Sequence, residues 1–361
     1  MSNPQRCTVI VVGAGFAGLC LLHRLRGMGY SVRVLEAASG VGGVWHWNRY
    51  PGARCDVESL QYSYSFSSEL EQEWEWTERY ASQPEILRYI EHVAGRFDLR
   101  RDIELNTRVT AMVFDEGAAR WDVQAAVRST DGASPGTVST QRLPAQFCIM
   151  ATGALSNARL PVIPGIERFA GQVCHTGAWP HEGVDLAAKR VGVIGTGWSG
   201  IEAITAIAKQ AKHLTVFQRT PNFSIPAWNG PLDPEAQMAW KAIYHEYRAR
   251  AREAGSLYEL SSKAAAEVGE EERVHEFQRR WDKGGVNFVH AFNDLMVNQQ
   301  SNDSIANFVR AQIRATVRDP QVAKALCPTD HPLGAKRICV GTGYYETYSR
   351  AGAAQGVSEC V

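Results

Sequence analysis

The chain has 361 residues, of which 45% are apolar and 21% charged, which is typical of a soluble globular protein with about two domains. Lysine plus arginine and aspartate plus glutamate each number 38, so the formal net charge is zero. This balance excludes a global field that would attract nucleic acid or an anionic membrane. No uninterrupted apolar stretch is long enough to span a bilayer, and we expect a cytoplasmic protein.

A first glycine-rich motif follows the apolar run Val9–Val12 and comprises Gly13, Gly15 and Gly18. The spacing predicts a strand, a tight turn and a helix whose N-terminal N–H groups can hold a pyrophosphate. The next predicted strand ends in Glu36, a carboxylate suited to accept hydrogen bonds from an adenosine ribose.

A second motif of the same type follows Val191–Ile194. Its predicted cofactor-binding residues are Gly195, Thr196, Gly197, Ser199 and Gly200. Here the following strand ends in Gln218 and Arg219, and a guanidinium can bind the 2′-phosphate of NADP where a carboxylate would repel it. A single such motif can serve packing alone, but two in the right context favour an α/β protein with two dinucleotide-binding, Rossmann-like domains.

The eight cysteines are scattered along the chain, with no C-x-x-C pair and no zinc-ligand spacing. A flavin disulfide reductase needs a closely spaced cysteine pair, so this class of two-dinucleotide enzyme is excluded. We expect reduced, mostly buried thiols and no metal site.

The motifs and the changes in residue composition along the chain predict a first dinucleotide domain over 1–155, a linker over 156–188 and a second dinucleotide domain over 189–350. Phe147–Met150 is predicted to be a short buried strand, and the two segments Val109–Val113 and Trp121–Val127 a hairpin. A helical insertion is predicted over about 233–327, with helices at Gln237–Arg252, Glu270–Trp281 and Ser304–Val317. Such an insertion is typical of a cap over a substrate site, and equally of a solvated structural bundle.

Two further stretches, Gly42–Asp56 and Phe169–Pro180, narrow the choice of reaction. From residue types alone, Trp45 is a core or cofactor-wall aromatic, Asp56 a loop carboxylate and His175 a hydrogen-bonded structural imidazole. The second stretch fits the pattern F-x-G-x-x-x-H-x-x-x-W-P. Its residues are Phe169, Gly171, His175, Trp179 and Pro180.

With these two signatures the sequence resembles the single-component, flavin-dependent Baeyer–Villiger monooxygenases, from about Val9 to Arg350. The resemblance implies FAD in the first domain and NADPH in the second. It also implies a reaction with O₂ and a small-molecule ketone through a C4a-peroxyflavin, giving an ester or lactone. Trp179 and Pro180 separate this family from the related flavin N- and S-oxygenases, which stay an alternative.

The resemblance also assigns residues to roles. Arg337 is the implied catalytic residue, and its fixed charge would stabilise anionic oxygen. Asp56 would orient it near the flavin, while Lys336 with Arg219 and Thr220 would hold the 2′-phosphate. His175 would link the domains. The remaining implied cofactor-binding residues are Gly13, Gly15, Gly18, Glu36, Gly43 and Trp45 of the first domain and Gly195, Thr196, Gly197, Ser199 and Gly200 of the second.

Two departures from the family pattern stand out. After Arg350 the tail 351–361 does not resemble the expected continuation, so the FAD domain is expected to lack its C-terminal half. Gly341 replaces an acidic residue common in related Cys-Val-Asp-Thr-Gly-Tyr-Tyr segments. From the tail we expect weak FAD retention and poor oxygenation. A non-catalytic FAD- and NADP-binding fragment is therefore a second alternative.

Overall fold

The computed structural model describes residues 9–129, 136–255 and 257–349 and the strand 357–359. The strands are β1 (Val9–Val12), β2 (Val32–Leu35), β3 (Ile103–Glu104), β4 (Thr107–Asp115), β5 (Arg120–Arg128), β6 (Val138–Ala145), β7 (Phe147–Met150), β8 (Arg190–Ile194), β9 (His213–Gln218), β10 (Ser224–Pro226), β11 (Cys339–Gly341) and β12 (Val357–Glu359). The α-helices are α1 (Phe16–Gly27), α2 (Val44–Trp47), α3 (Ser68–Glu73), α4 (Gln83–Arg96), α5 (Trp198–Ile207), α6 (Pro234–Ala242), α7 (Tyr244–Ala254), α8 (Glu270–Lys283), α9 (Gln299–Thr316), α10 (Pro320–Leu326) and α11 (Tyr344–Thr347).

The chain divides into two compact units. The first combines Met1–Arg49 with Gln83–Glu182, and the second combines Tyr50–Ser82 with Gly183–Val361. Residues 50–82, which the predicted first domain includes, therefore cluster with the second unit. The predicted domain boundaries themselves stay a prediction.

The first unit is built on a parallel sheet in the order β3-β2-β1-β7. The apolar run of β1 is buried on both faces, as expected for a central parallel strand. Ile10 of β1 and Leu35 of β2 share a core cluster with Val123 and Ala125 of the antiparallel sheet β4-β5-β6. The predicted hairpin corresponds to β4 and β5, which pair antiparallel.

The sequence predicted β7 at its observed bounds but was wrong about its burial. Phe147 is 55% and Met150 54% exposed, because β7 is an edge strand with β1 as its one neighbour among the described strands of the sheet. Periodicity cannot distinguish an edge strand from a central one when both read as short apolar runs.

The second unit contains a parallel sheet in the order β12-β9-β8, with α5 following β8, and a parallel pair β10-β11. The predicted α/β class with two Rossmann-like units is confirmed. Of the tail 351–361, only the strand β12 lies within the described residues, where Val357 pairs with Val216 of β9.

The helical part of the second unit contains α6 to α10. The prediction of one helix over Gln237–Arg252 is wrong, since α6 and α7 are separated at Ile243, whose φ of −116° and ψ of 17° leave the helical region. The other two predicted helices correspond to α8 and α9. Within the described part of the chain, no helix combines the length and the apolar character that a membrane span requires.

Candidate functional site

The first glycine turn joins β1 to α1 in a conformation that only glycine accommodates. Gly13 has a φ of +105°, and a Cβ added there would lie 2.6 Å from the carbonyl oxygen of Ala151. A Cβ at Gly18 would overlap the carbonyl oxygen of Gly13. The three predicted glycines therefore serve a close backbone turn, which leaves its outer side free of side chains.

A second glycine segment lies against this turn. Gly42 and Gly43 both have positive φ, and a Cβ at Gly43 would lie 3.0 Å from the Cα of Gly15. Gly15 is the N-cap of α1, and no side chain of a described residue caps this helix end. Trp45 follows in α2 and is 8% exposed. Bare backbone on both sides of an uncapped helix N-terminus is the arrangement expected around a bound pyrophosphate.

Glu36 lies at the end of β2 and is 6% exposed. One carboxylate oxygen accepts a hydrogen bond from the N–H of Ala14 at 2.6 Å, and the other accepts from the N–H of Ala38 at 2.8 Å. These bonds tie the carboxylate to the glycine turn. Each oxygen keeps a lone pair for a further donor, so the contacts are compatible with a ribose hydroxyl.

The second glycine turn joins β8 to α5 and repeats the same geometry. Gly195 has a φ of +98° and donates a hydrogen bond to the carbonyl of Phe217 at 2.9 Å. A Cβ at Gly200 would overlap the carbonyl oxygen of Gly195, whereas one at Gly197 would meet open space. Gly197 is the N-cap of α5, again without a side-chain cap from the described residues.

The residues predicted around this second turn differ in their contacts. Thr196 donates a hydrogen bond to the carbonyl of Thr220 at 3.3 Å, which brings these two predicted residues together. Ser199, in the first turn of α5, lies beside the phenol of Tyr50. Arg219 and Lys336 are both exposed and form no ion pair with the described residues.

Gln218 precedes Arg219 and is a buried neutral residue. Its amide nitrogen donates to the carbonyl of Ala325 at 2.8 Å. The end of β9 therefore places no carboxylate where a 2′-phosphate would bind.

The structure brings Asp56 and Arg337 together as a hydrogen-bonded ion pair, although 281 positions separate them. The Asp56 side chain is 13% exposed, whereas that of Arg337 is 73% exposed. The guanidinium is therefore held by one carboxylate and is otherwise open to solvent. Five N–H donors in a planar fork allow it to bind this carboxylate and a second acceptor at once.

Backbone pairing fixes the segments that carry this ion pair. Cys55, beside Asp56, donates its N–H to the carbonyl of Ala81 at 3.1 Å, and Cys339, two residues after Arg337, donates to Phe223 at 3.0 Å. Burial raises the pKa of both thiols to about 12. The two cysteines next to the pair are therefore protonated at neutral pH and are not nucleophiles.

A cavity of about 320 Å³ in the second unit includes Asp56 in its lining. Four aromatic residues contribute to its wall, namely Tyr80, Trp240, Tyr247 and Tyr258. Among its cationic lining residues, Arg79 is paired with Glu58 at 2.6 Å, Lys283 lies 3.4 Å from Glu259, and Arg250 lies over the ring of Tyr247. A cavity of this kind can hold a small, mainly apolar molecule beside the aspartate.

The Phe169–Pro180 signature lies in the first unit. Trp179 is buried, whereas Phe169 is 62% exposed and covers Gly171, where a Cβ would lie 2.6 Å from the ring. The Nδ1 atom of His175 accepts a hydrogen bond from the N–H of Gly177 at 3.0 Å. Pro180 and His175 line a cavity of about 340 Å³. The predicted role of His175 as a link between domains stays a prediction.

Sequence reasoning missed several residues that the structure places at the site. Tyr50 lies beside Ser199, and Tyr258 lines the cavity beside Asp56. Glu202, a buried residue of α5, lies near Arg54. Tyr50 belongs to the Gly42–Asp56 signature and could have been singled out there, but Tyr258 and Glu202 carry no sequence signal of their own.

The sequence profile of the pyridine nucleotide-disulphide oxidoreductases matches residues 7–244. The chain belongs to this family. The sequence of this chain contains no closely spaced pair of cysteines.

Two curated relatives, both monooxygenases, are similar in sequence to most of this chain. A phenazine N-monooxygenase of Lysobacter antibioticus is 43% identical over 346 residues, which are 94% of this chain and 61% of the relative. A Baeyer–Villiger monooxygenase of Pseudooceanicola batsensis is 41% identical over 346 residues, with the same coverage of 94% and 61%. The chain therefore spans about three fifths of the length of these relatives.

Solved structures of monooxygenases are also similar to this chain in sequence and fold. A steroid monooxygenase bound to NADP has 54% identity and a TM-score of 0.89, covering 96% of this chain and 64% of that one. A complex of OTEMO with FAD and NADP has 38% identity and a TM-score of 0.89, covering 98% and 66%. The predicted resemblance to Baeyer–Villiger monooxygenases is confirmed. The motifs Gly42–Asp56 and Phe169–Pro180 also predict a narrower likeness to phenylacetone monooxygenase, and this likeness stays a prediction.

Proposed function

We propose that this chain provides the nucleotide-binding and ketone-activating residues of an NADPH- and O₂-dependent flavoprotein monooxygenase, which inserts oxygen next to a ketone carbonyl. The observation that carries the proposal is the ion pair of Asp56 with an otherwise exposed Arg337 beside an aromatic-lined cavity. The relatives, which are monooxygenases, support this reading over that of a non-catalytic fragment.

The residues of the first unit fit FAD. The turn Gly13–Gly18 and the opposing Gly43 offer backbone without side chains to a pyrophosphate, and Glu36 is tied to the same turn by two N–H groups. Trp45 would form part of the wall. When bound, FAD supplies the hydride acceptance and oxygen activation that amino acid side chains cannot provide.

The residues of the second unit fit NADPH. The glycine turn at Gly195–Gly200 and the uncapped α5 would bind its pyrophosphate. Thr220 is held to the turn by Thr196, while Arg219 and Lys336 present exposed cations for the 2′-phosphate. A neutral Gln218 leaves this position free of like charge.

Arg337 is the proposed catalytic residue and Asp56 the residue that orients it. Asp56 fixes one part of the guanidinium, and the exposed remainder can donate hydrogen bonds to an oxygen that becomes negative as the ketone reacts. Since arginine stays charged at any working pH, it stabilises the anion without giving up a proton. Loss of one such donor costs on the order of 3–4 kcal/mol of barrier.

The 320 Å³ cavity is the proposed ketone site. Its aromatic wall would bury the apolar body of a ketone, and the carbonyl would lie on the side of Asp56, which lines the cavity and binds Arg337. A cytoplasmic location is likewise proposed, on the composition of the sequence.

Nitrogen oxygenation is a second candidate, favoured by the phenazine N-monooxygenase among the relatives. The two reactions make different demands on the protein. Attack on a ketone creates an oxyanion that needs Arg337, whereas transfer of oxygen to an amine nitrogen creates none at carbon. The effect of Arg337→Ala therefore discriminates between them.

The test is anaerobic reduction of the purified chain with added FAD by NADPH, followed by mixing with O₂ and product analysis. A cyclic ketone, a sulfide and an aromatic amine are offered in parallel. We expect flavin reduction by NADPH and an ester or lactone from the ketone. No reduction of the added flavin by NADPH, or oxidation of the amine alone, would reject the proposed reaction.

A further inference from the structure

Glu202 is a buried carboxylate of α5 that the proposed reaction does not use. Its side chain is 8% exposed, and its Oε1 atom has no hydrogen-bond partner among the described residues. Its Oε2 atom lies 3.6 Å from Nε of Arg54. A carboxylate oxygen that loses water without gaining a donor is costly, so this arrangement needs an explanation.

One side of the carboxylate faces the strand that follows Arg337. A Cβ added at Gly341 of β11 would lie 3.3 Å from Oε1 of Glu202. An acidic side chain at this position, as in the related segments noted above, would bring a second carboxylate against the first. Glycine leaves the space beside its Cα unfilled, and Oε1 of Glu202 lies at the edge of this space.

The other side faces the loop that carries Asp56. A Cβ at Gly52 would lie 2.6 Å from the backbone oxygen of Glu202, so the loop packs directly on α5. Arg54 donates hydrogen bonds to Glu78 at 2.8 Å and to the carbonyl of Tyr80 at 3.0 Å while it lies near Glu202. Glu78 and Glu202 thus share one guanidinium, two residues before Asp56.

The charges around Glu202 come from three elements. Burial raises the pKa of its carboxyl to about 7, the positive charges of Arg54 and Lys209 oppose the rise, and Asp56 adds to it. The remaining titratable neighbours are Tyr50 on the loop and Cys339 on β11, both neutral at this pH. The charge of Glu202 therefore changes near neutral pH.

We propose that Glu202 is a positioning residue for the Asp56–Arg337 pair, acting on the Asp56 loop through Arg54 from the space that Gly341 leaves open. Ionised Glu202 draws Arg54 away from Glu78 and thereby holds the loop that carries Asp56 against α5. Protonated Glu202 releases Arg54. The importance of the pair rests on the proposed function, but the effect of Glu202 on it is measurable without turnover.

The first test measures how strongly Arg337 is held. Phenylglyoxal modifies arginines, and peptide mass spectrometry reports the rate at Arg337 relative to the exposed Arg219 in the same sample. We expect the wild-type ratio to fall in a step near pH 7, because ionised Glu202 holds Arg54 and with it the loop whose Asp56 binds Arg337, and the step to be lost in Glu202→Gln. Asp56→Asn should raise the ratio at every pH. A wild type without a step, or a step that survives in Glu202→Gln, overturns the proposal.

The second test is a double-mutant cycle that remains informative if one variant is unstable. Urea unfolding at pH 8 is measured for wild type, Gly341→Asp, Glu202→Gln and the double variant. We expect Gly341→Asp to lower the unfolding midpoint strongly in the wild type. In the Glu202→Gln background the same change should lower the midpoint much less, because the like-charge contact is gone. An equal loss in both backgrounds overturns the assigned contact. Neither test uses FAD, so a failed oxygenation assay is distinguishable from a failed role for Glu202.

Discussion

Replacing Glu202 by glutamine should change how the stability of the protein depends on pH. The pKa of this carboxyl is raised from 4.5 to about 7 by burial, so the folded protein keeps a proton that the unfolded chain has already released. Stability is therefore lost as pH rises through this window, from about pH 4.5 to about pH 7, and is constant above it. Glutamine carries no titrating proton and removes the effect.

The magnitude follows from the two pKa values. At about 1.4 kcal/mol per pH unit, the wild type should lose roughly 2.5 kcal/mol between pH 5 and pH 8 relative to Glu202→Gln. The assay is urea unfolding of both proteins at several pH values, with the fluorescence of the native tryptophans as the signal that monitors unfolding. Glu91→Gln, a change at an exposed carboxylate of α4, serves as the control and should keep the wild-type profile. Parallel curves for wild type and Glu202→Gln across this range would refute the reasoning.

Three further predictions concern the proposed cofactors and reaction. Arg337→Ala should leave flavin reduction by NADPH intact but lower ester formation by about 10²–10³-fold, and product analysis showing near-parental ester would remove Arg337 from the chemistry. Arg219→Ala should selectively weaken NADPH use over NADH use; an unchanged ratio of kcat/KM for the two would assign the 2′-phosphate elsewhere. Gly13→Ala should abolish FAD retention on gel filtration because its Cβ meets the carbonyl of Ala151, whereas the matched Gly27→Ala, with open space around it, should not.

Much of the nucleotide-binding fold could be predicted from local signals. Glycines at Gly13, Gly18 and Gly200 are required by close backbone contacts, and such requirements leave a fixed spacing in the sequence. The ion pair of Asp56 with Arg337 was anticipated through family resemblance, because residues so far apart share no local pattern. The roles of all these residues stay predictions until they are tested with cofactors.

What the sequence could not indicate depends on tertiary packing. Glu202 is buried because the Asp56 loop and Gly341 both pack against α5. These are tertiary contacts between distant segments, and they leave no periodic pattern in the sequence. The break between α6 and α7 at Ile243 occurs without proline or glycine, so the amphipathic pattern continues through it. The exposure of Phe147 reflects its place at a sheet edge, which a short apolar run does not reveal.

The division of the chain into units that interleave along the sequence affects how it folds during synthesis. The polypeptide passes from one unit to the other at 49–50, 82–83 and 182–183, so neither unit is a continuous stretch. Residues 50–82 emerge from the ribosome at least a hundred residues before Gly183, where the rest of their own unit begins. At roughly 5–20 residues per second they wait many seconds for their packing partners, and during that time their apolar side chains need protection. A cut at any single peptide bond would therefore fail to yield both units intact.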